Sequence, residues 1–174
     1  MSMTDGYPFI FQMNDKSGHD AVLEYTLQYR FKSTHSNHTY IVRVERYIEH
    51  AYCVKFFDKA NMLSDNKFSL RTGTFEPRTI FYTIFKIMLD VLKRDSKASF
   101  FFIGANDEKD ELGVATRRFR VYVKFVLSTV GDTVFKHYRV NELSLYILAN
   151  KEHVADMDNY VNRIIANVAE AMRH

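Results

Sequence analysis

The sequence predicts an α+β fold, in which an N-terminal strand meander begins one antiparallel or mixed sheet and about three helices pack on it. Side-chain polarity alternates with a period of two along the first half, whereas apolar residues recur at helical spacing along the second half. Aromatic residues, which strands favour, make up 15% of the 174 residues. This length suits one compact unit, so we predict a single domain over residues 1–174.

The first half is interpreted as antiparallel strands. Residues 7–13 form a short aromatic run, and residues 21–31 alternate apolar and polar side chains, which predicts a strand with one buried face. Similar alternation follows a polar turn, at 40–47 and again at 52–57, and completes a meander. Residues 58–75 are polar, with at most a short strand at 67–71.

The second half changes to helical spacing. A proline at position 77 suits the first turn of a helix that extends to about Arg94, because the missing N–H would lack a partner there. Residues 99–103 form a continuous apolar run that predicts a buried strand. Two more strands are predicted at 133–139 and 144–148, and a last helix at about 151–173.

Residues 114–130 fit both periods. Seventeen residues are long for a strand, and the acidic residues before them suit a helix N-terminus, so we favour a helix. As a strand, this segment places Phe119, Val121, Val123, Phe125 and Leu127 on one face; as a helix, it buries Phe119, Tyr122, Val123, Val126 and Val130.

The same segment carries the main electrostatic feature of the chain. Four of the six residues at 106–111 are acidic, whereas residues 113–140 contain six basic residues against one acidic residue. Clustered arginines can bind phosphate or carboxylate through two parallel hydrogen bonds, and a nearby tyrosine can stack on a base. An anion or nucleic-acid contact is therefore predicted at Arg117, Arg118, Arg120, Tyr122 and Lys124. In the alternative, the arginines pair with the acidic residues in weak surface salt bridges.

The acidic stretch offers a second, weaker site. Asp107, Asp110 and Glu111 supply the hard oxygen ligands that divalent cations prefer, and with the arginines they would suit a metal-dependent nuclease. The stretch lacks the calcium-loop spacing, and a solvated helix N-terminus explains the same residues. We predict no cofactor, since no glycine-rich phosphate loop is present.

The remaining composition limits location and chemistry. Cys53 is the single cysteine, so an internal disulfide is excluded, and it is predicted to be buried in a strand. Residues 35–38 are interpreted as an exposed turn with two histidines, and the other histidines are scattered. No secretory signal or apolar run of membrane-spanning length is found, which predicts a cytoplasmic protein without membrane contact.

The stretch Phe102-Ile103-Gly104-Ala105-Asn106-Asp107, followed by Arg117-Arg118-Phe119-Arg120-Val121-Tyr122 and Phe135-Lys136-His137, carries a resemblance. Residues 75–150 resemble small uncharacterised proteins of Bacteroidetes genomes. The resemblance implies a bacterial cytoplasmic origin and supports the helical interpretation of 114–130. It implies no catalytic residue.

Two functions remain open. The first is a non-enzymatic bacterial binding module, either a homo-oligomer or a component of a two-protein system, whose arginine-rich segment contacts an anion or a nucleic acid. The second is a metal-dependent nucleic-acid-processing enzyme. The first is preferred, because no complete set of catalytic groups can be assembled from the sequence.

Overall fold

The structure, a computed structural model, describes residues 6–18, 22–61, 77–104 and 117–173. These residues form seven strands and three α-helices. The strands are β1 (Phe9–Asp15), β2 (Leu23–Lys32), β3 (Thr39–Tyr47), β4 (Ala51–Asp58), β5 (Ser99–Ile103), β6 (Phe135–Val140) and β7 (Leu145–Asn150). The helices are α1 (Pro77–Arg94), α2 (Arg117–Thr129) and α3 (Met157–Arg173).

The seven strands form one mixed sheet in the order β1-β2-β3-β4-β5-β7-β6. The predicted meander is confirmed, since β1 to β4 pair antiparallel with their sequence neighbours. β5 pairs parallel with β4, because α1 lies between them in the chain and allows a crossover in the same direction. β7 then pairs antiparallel with β5, and β6 forms the far edge. The α+β prediction is therefore confirmed.

A bulge in β2 changes the face of the sheet to which its apolar side chains point. Its pairing with β3 shifts between Leu23 and Tyr25, so the predicted run of same-face residues is interrupted at its start. Leu23 packs with the residues under α3, whereas Leu27, Tyr29 and Phe31 pack under α1.

The larger core lies between the sheet and helices α1 and α2. Phe100 and Phe102 of β5 point into it, together with the buried stripes of both helices. Phe31 stacks on Tyr40 with ring centroids 5.2 Å apart, and Tyr7 lies 6.0 Å from Phe31 on its other side. Most of the aromatic side chains pack in this core, because large rings bury the most apolar area.

The smaller core lies between the opposite face of the sheet and α3. It contains Phe101 of β5 and Cys53, which is fully buried as predicted, and burial raises the pKa of the thiol to about 12. α3 contributes Tyr160, Val161, Ile164 and Val168. The helices therefore cover both faces of the sheet, α1 and α2 on one and α3 on the other.

α3 begins later than the predicted start at about residue 151. The Asn150 side-chain oxygen accepts a hydrogen bond from the backbone of Glu152, and the Asn150 carbonyl accepts from Val154, which holds the intervening residues in a turn. Asp156 then caps the helix, because its carboxylate accepts a hydrogen bond from the Asn159 backbone at 3.2 Å. The sequence pattern alone did not distinguish this turn from a first helical turn.

The helical interpretation of residues 114–130 is confirmed over Arg117–Thr129. Phe119, Val123 and Val126 are buried, whereas Val121 and Leu127 are exposed, which the strand alternative would not allow. The possible strand at 67–71 lies outside the described residues. No described helix combines the length and hydropathy needed to cross a membrane.

The burial of α2 generates a stability prediction. Phe119→Ala should lower the free energy of unfolding by about 3–5 kcal/mol, because the ring is fully buried and its loss leaves a cavity. Leu127→Ala on the same helix is the matched control and should change it by less than about 0.5 kcal/mol, since Leu127 is 63% exposed. Urea unfolding of both variants measures this; equal losses would contradict the helical assignment.

Candidate functional site

Part of the sequence-predicted site lies on the outer surface of α2. Arg120, Val121, Lys124 and Leu127 are all exposed and recur at helical spacing, and we call them the basic face of α2. Arg117 and Arg118 begin the same helix, and their side chains lie outside the described part of the structure. The helix contains four basic residues and no acidic residue.

Tyr122 lies away from this face. It is 9% exposed, and its ring lies in the larger core with centroids 5.5 Å from Phe81 and 6.1 Å from Phe56. Two residues along a helix turn the side chain by about 200°, so Tyr122 points inward where Arg120 points outward. Its ring is therefore a packing element, and it offers no open face on which a base could stack.

One cation of β6 lies beside α2. The Arg139 guanidinium lies over the Phe119 ring at 5.7 Å, and its Nε donates to the Asn141 side chain at 2.6 Å. This contact stabilises Arg139 in a fixed position and extends the positive charge of α2 onto the neighbouring edge strand.

The weaker metal site cannot be placed, because Asp107, Asp110 and Glu111 lie outside the described residues. Within the described ranges, no three histidine, cysteine, aspartate or glutamate side chains converge on a position suited to a metal ion.

A different group of polar side chains meets at one end of the sheet. Three connections converge there: the β3–β4 loop at 48–50, the α1–β5 turn at 95–98 and the β7–α3 turn at 151–156. They bring together His50, Asp95 and His153, with Tyr52 and Arg46 from the adjoining strands. We call these five residues the His50 cluster.

Asp95 is the centre of the His50 cluster. Its Oδ2 lies 2.7 Å from Nδ1 of His50 and accepts a hydrogen bond from the Tyr52 hydroxyl at 2.9 Å, while its Oδ1 accepts one from the Lys97 backbone. Burial opposes ionisation, but the bonds from His50, Tyr52 and Lys97 outweigh it and lower the pKa of Asp95. Since an ionised carboxylate only accepts, Nδ1–H of His50 donates to Asp95, and Nη2 of Arg46 lies 3.3 Å from the same Nδ1.

Arg46 also lies close to Asp95. It donates to the Tyr25 hydroxyl at 2.9 Å, pairs with Glu24 at 2.8 Å and lies 3.6 Å from Asp95. The charge of Asp95 is thus balanced by the guanidinium of Arg46. The hydroxyl of Tyr25 accepts from Arg46 and that of Tyr52 donates to Asp95, and these bonds orient both groups.

The backbone that carries His50 is strained. Glu49 and His50 both have left-handed conformations, with φ of 61° and 62°, which cost non-glycine residues about 1–2 kcal/mol each. α3 stabilises this turn: Arg163 donates to the Glu49 carboxylate at 2.6 and 2.8 Å, and the Tyr160 hydroxyl donates to the Glu49 carbonyl at 3.0 Å. Strain retained in this way is typical of positions where a side chain has a function.

His153 completes the cluster from the β7–α3 turn. Its ring meets that of His50 edge to face, with centroids 5.0 Å apart. Desolvation is the main cause that lowers the pKa of His153, followed by the positive charges of His50 and Lys97. His153 is therefore mostly neutral at pH 7 and able to accept a proton.

The sequence interpretation left these histidines unconnected. His50 and His153 are 103 positions apart, and neither lies in a spacing typical of a metal or catalytic motif. A local signal is that two non-glycine residues, Glu49 and His50, form the tight connection between β3 and β4. This signal can be used only once the positions of both strands are known.

Other histidines have structural contacts. His38, predicted to lie in an exposed turn, has its Nδ1 2.5 Å from the carboxylate of Asp58, which is 2% exposed. His137 contacts the Tyr146 hydroxyl at 2.6 Å and the Gly131 carbonyl at 2.9 Å, so both of its ring nitrogens are engaged.

No protein-family model, no curated protein and no solved structure matches the chain.

The Asp95 contacts predict a specific pH dependence of stability. Asp95→Asn should lower the free energy of unfolding near pH 7 by about 1.5–3 kcal/mol, because charge-assisted hydrogen bonds are lost. A lowered native pKa means that the unfolded chain takes up the proton first, so this contribution is complete above the ordinary value of 3.8 and is lost as the pH falls below it.

Urea unfolding between pH 2.5 and 7 measures the difference from the native chain. The control is Asp132→Asn, which changes an exposed aspartate outside the cluster. A loss for Asp95→Asn that is the same at pH 3 as at pH 7 would contradict the assignment.

Proposed function

We propose that the protein is a non-enzymatic binding module whose basic face of α2 contacts an acidic protein partner. The observation that carries the proposal is an outward helix face that combines cations with exposed apolar side chains and lies on a helix without acidic residues. Such a face matches the anatomy of protein interfaces, in which apolar side chains are flanked by charges that select the partner.

The apolar residues favour a protein over a nucleic acid. Val121 is 41% exposed and lies between Arg120 and Lys124, and Leu127 is 63% exposed about one turn after Lys124. Phosphate groups would pair with Arg120 and Lys124 but would leave the two apolar side chains in water. The buried ring of Tyr122 also removes the stacking contact that single-stranded nucleic acids use.

The charge of the face favours a different protein over a second copy docked face to face. A two-fold contact would place the basic face of α2 against itself, and like charges opposed across an interface cost several kcal/mol. An acidic surface or helix with its own apolar residues satisfies both features. Lys124 has no ion-pair partner among the described residues and is available for such a contact.

From the sequence we also predict a bacterial origin, a cytoplasmic location and the absence of a cofactor. The alternative function is a metal-dependent nucleic-acid-processing enzyme that binds its metal through Asp107, Asp110 and Glu111.

Binding of labelled probes tests the proposal. A 20-residue amphipathic helical peptide with glutamate and leucine on one face should bind, and its affinity should fall as the salt concentration rises. Lys124→Glu should weaken binding by about tenfold or more through charge repulsion. Leu127→Ser should weaken it at every salt concentration, because the apolar contact is unscreened. Fluorescence anisotropy measures both variants.

The controls separate the alternatives. Lys93→Glu changes an exposed cation on α1 and should leave peptide binding unchanged. A 20-nucleotide single-stranded RNA and a 20-base-pair DNA are tested in parallel. Binding of the nucleic acids without the peptide would replace the proposal by a phosphate-binding surface, and binding of no probe would overturn it.

A further inference from the structure

The strand β1 forms one open edge of the sheet. Within the described ranges it pairs only with β2, so the outer side of its backbone presents N–H and C=O groups to which another strand can bind. The opposite edge strand, β6, carries the exposed cations Lys136 and Arg139, which discourage a second strand from adding there. β1 contains no lysine or arginine. The β1 edge therefore lacks the charge protection that β6 has.

Two apolar side chains of β1 are exposed. Ile10 is 56% exposed and Met13 is 46% exposed, and in a regular strand their spacing of three residues would direct them to opposite faces. The bulge between Phe11 and Met13 changes this, since Ile10 pairs with Arg30 and Met13 pairs with Gln28. Arg30 and Gln28 are two residues apart on β2 and share a face. Ile10 and Met13 therefore lie on the same face of the sheet.

The rest of β1 is fixed in place by contacts within the chain. Phe9 and Phe11 pack against the larger core, and the Arg94 guanidinium of α1 lies 4.0 Å from the centroid of the Phe11 ring. The Gln12 side chain accepts a hydrogen bond from Gln28 of β2 at 3.0 Å. The edge is therefore already formed in the single chain, and a strand that adds to it has little further ordering entropy to overcome.

We propose that β1 pairs antiparallel with β1 of a second copy of this chain, about a two-fold axis that passes between Phe11 and Gln12. The two sheets then become one continuous sheet. In this register Ile10 of each copy lies directly opposite Met13 of the other copy, on the same face of the sheet. Because the contact is two-fold, it occurs twice, and all four exposed apolar side chains are covered. β1 is thus self-complementary.

The charges at the two ends of β1 favour the same arrangement. The N-terminal end lies beside a surface groove lined by Pro8, Arg30 and Lys32, and both cations are exposed without an ion-pair partner among the described residues. The C-terminal end carries Asp15, a carboxylate that Arg43 holds in place at 2.9 Å. The antiparallel register places Asp15 opposite Pro8 of the second copy, next to that groove. Opposite charges therefore approach each other at both ends of the contact.

This contact is separate from the basic face of α2. β1 and β6 are the opposite edges of the seven-stranded sheet, and α2 lies beside β6, where Arg139 contacts Phe119. A dimer formed through β1 therefore leaves both copies of α2 exposed, at the two far ends of the joined sheet. It offers two basic faces to an acidic partner, and two linked contacts bind such a partner more tightly than one.

Sedimentation of the full chain over a range of concentrations tests the dimer. The average mass should rise from that of one chain towards that of two as the concentration increases. Met13→Lys places a cation on the open edge and should weaken dimerisation by about tenfold or more. The matched control is Leu143→Lys, which changes an apolar side chain 41% exposed outside β1 and should leave dimerisation unchanged. A native chain that stays monomeric, or equal loss in both variants, would overturn the proposal.

Disulfide cross-linking tests the register. Ile10→Cys mixed with Met13→Cys should form a cross-linked dimer under mild oxidation, because residues directly opposite each other have Cβ atoms about 4.5–5.5 Å apart. Either variant alone places its two new thiols about 10 Å apart along the strands and should give about tenfold less product. Cys53 is fully buried and does not compete. Cross-linking of the separate variants that equals cross-linking of the mixture would contradict the antiparallel register and overturn the proposal.

Discussion

The burial of β5 on both faces is the constraint on which the rest of the structure depends. Phe100 and Phe102 point into the core under α1 and α2, and Phe101 points into the core under α3. Because successive side chains of a strand point to opposite faces, five consecutive residues anchor two separate cores. β5 also joins the N-terminal meander to the C-terminal hairpin, since it pairs with β4 on one side and β7 on the other. Both halves of the chain are therefore united through one short strand.

The ends of β5 explain where the polar groups collect. At the Ser99 end, the connection into β5 lies beside the connection into the parallel strand β4 and the connection out of the antiparallel strand β7, and these bring Asp95, His50 and His153 together. His50 is hydrogen-bonded to Asp95, and the Asn150 side chain ties the adjoining turns together through the carbonyls of Ser96 and Ala98, at an end of the sheet that is partly open to solvent. Rigid elements that support partly exposed titratable groups are the usual setting of a functional site. The basic face of α2 has a different character, because its side chains lie along the regular surface of one helix.

These two features suit different kinds of interaction. The basic face of α2 offers charge and apolar area over an extended surface, which favours a macromolecular contact of moderate specificity. The His50 cluster offers a few oriented groups at one point, which favours chemistry on a small part of a substrate. Neither feature uses the ring of Tyr122, since its contribution is to pack α2 against Phe81 and Phe56.

The sequence by itself determined the fold class, most strands and the helices, because polarity along a strand or helix is a local pattern. It also determined that α2 is basic. The sequence did not determine the length of the turn before α3. The side chain of Asn150 fixes that turn through hydrogen bonds to residues about 50 positions away. The inward position of Tyr122 depended on the choice between two periods that both fit. The His50 cluster was decided by tertiary structure alone, since the contacts of His50 with Asp95 and His153 join residues that are distant in the chain, and no local pattern records them.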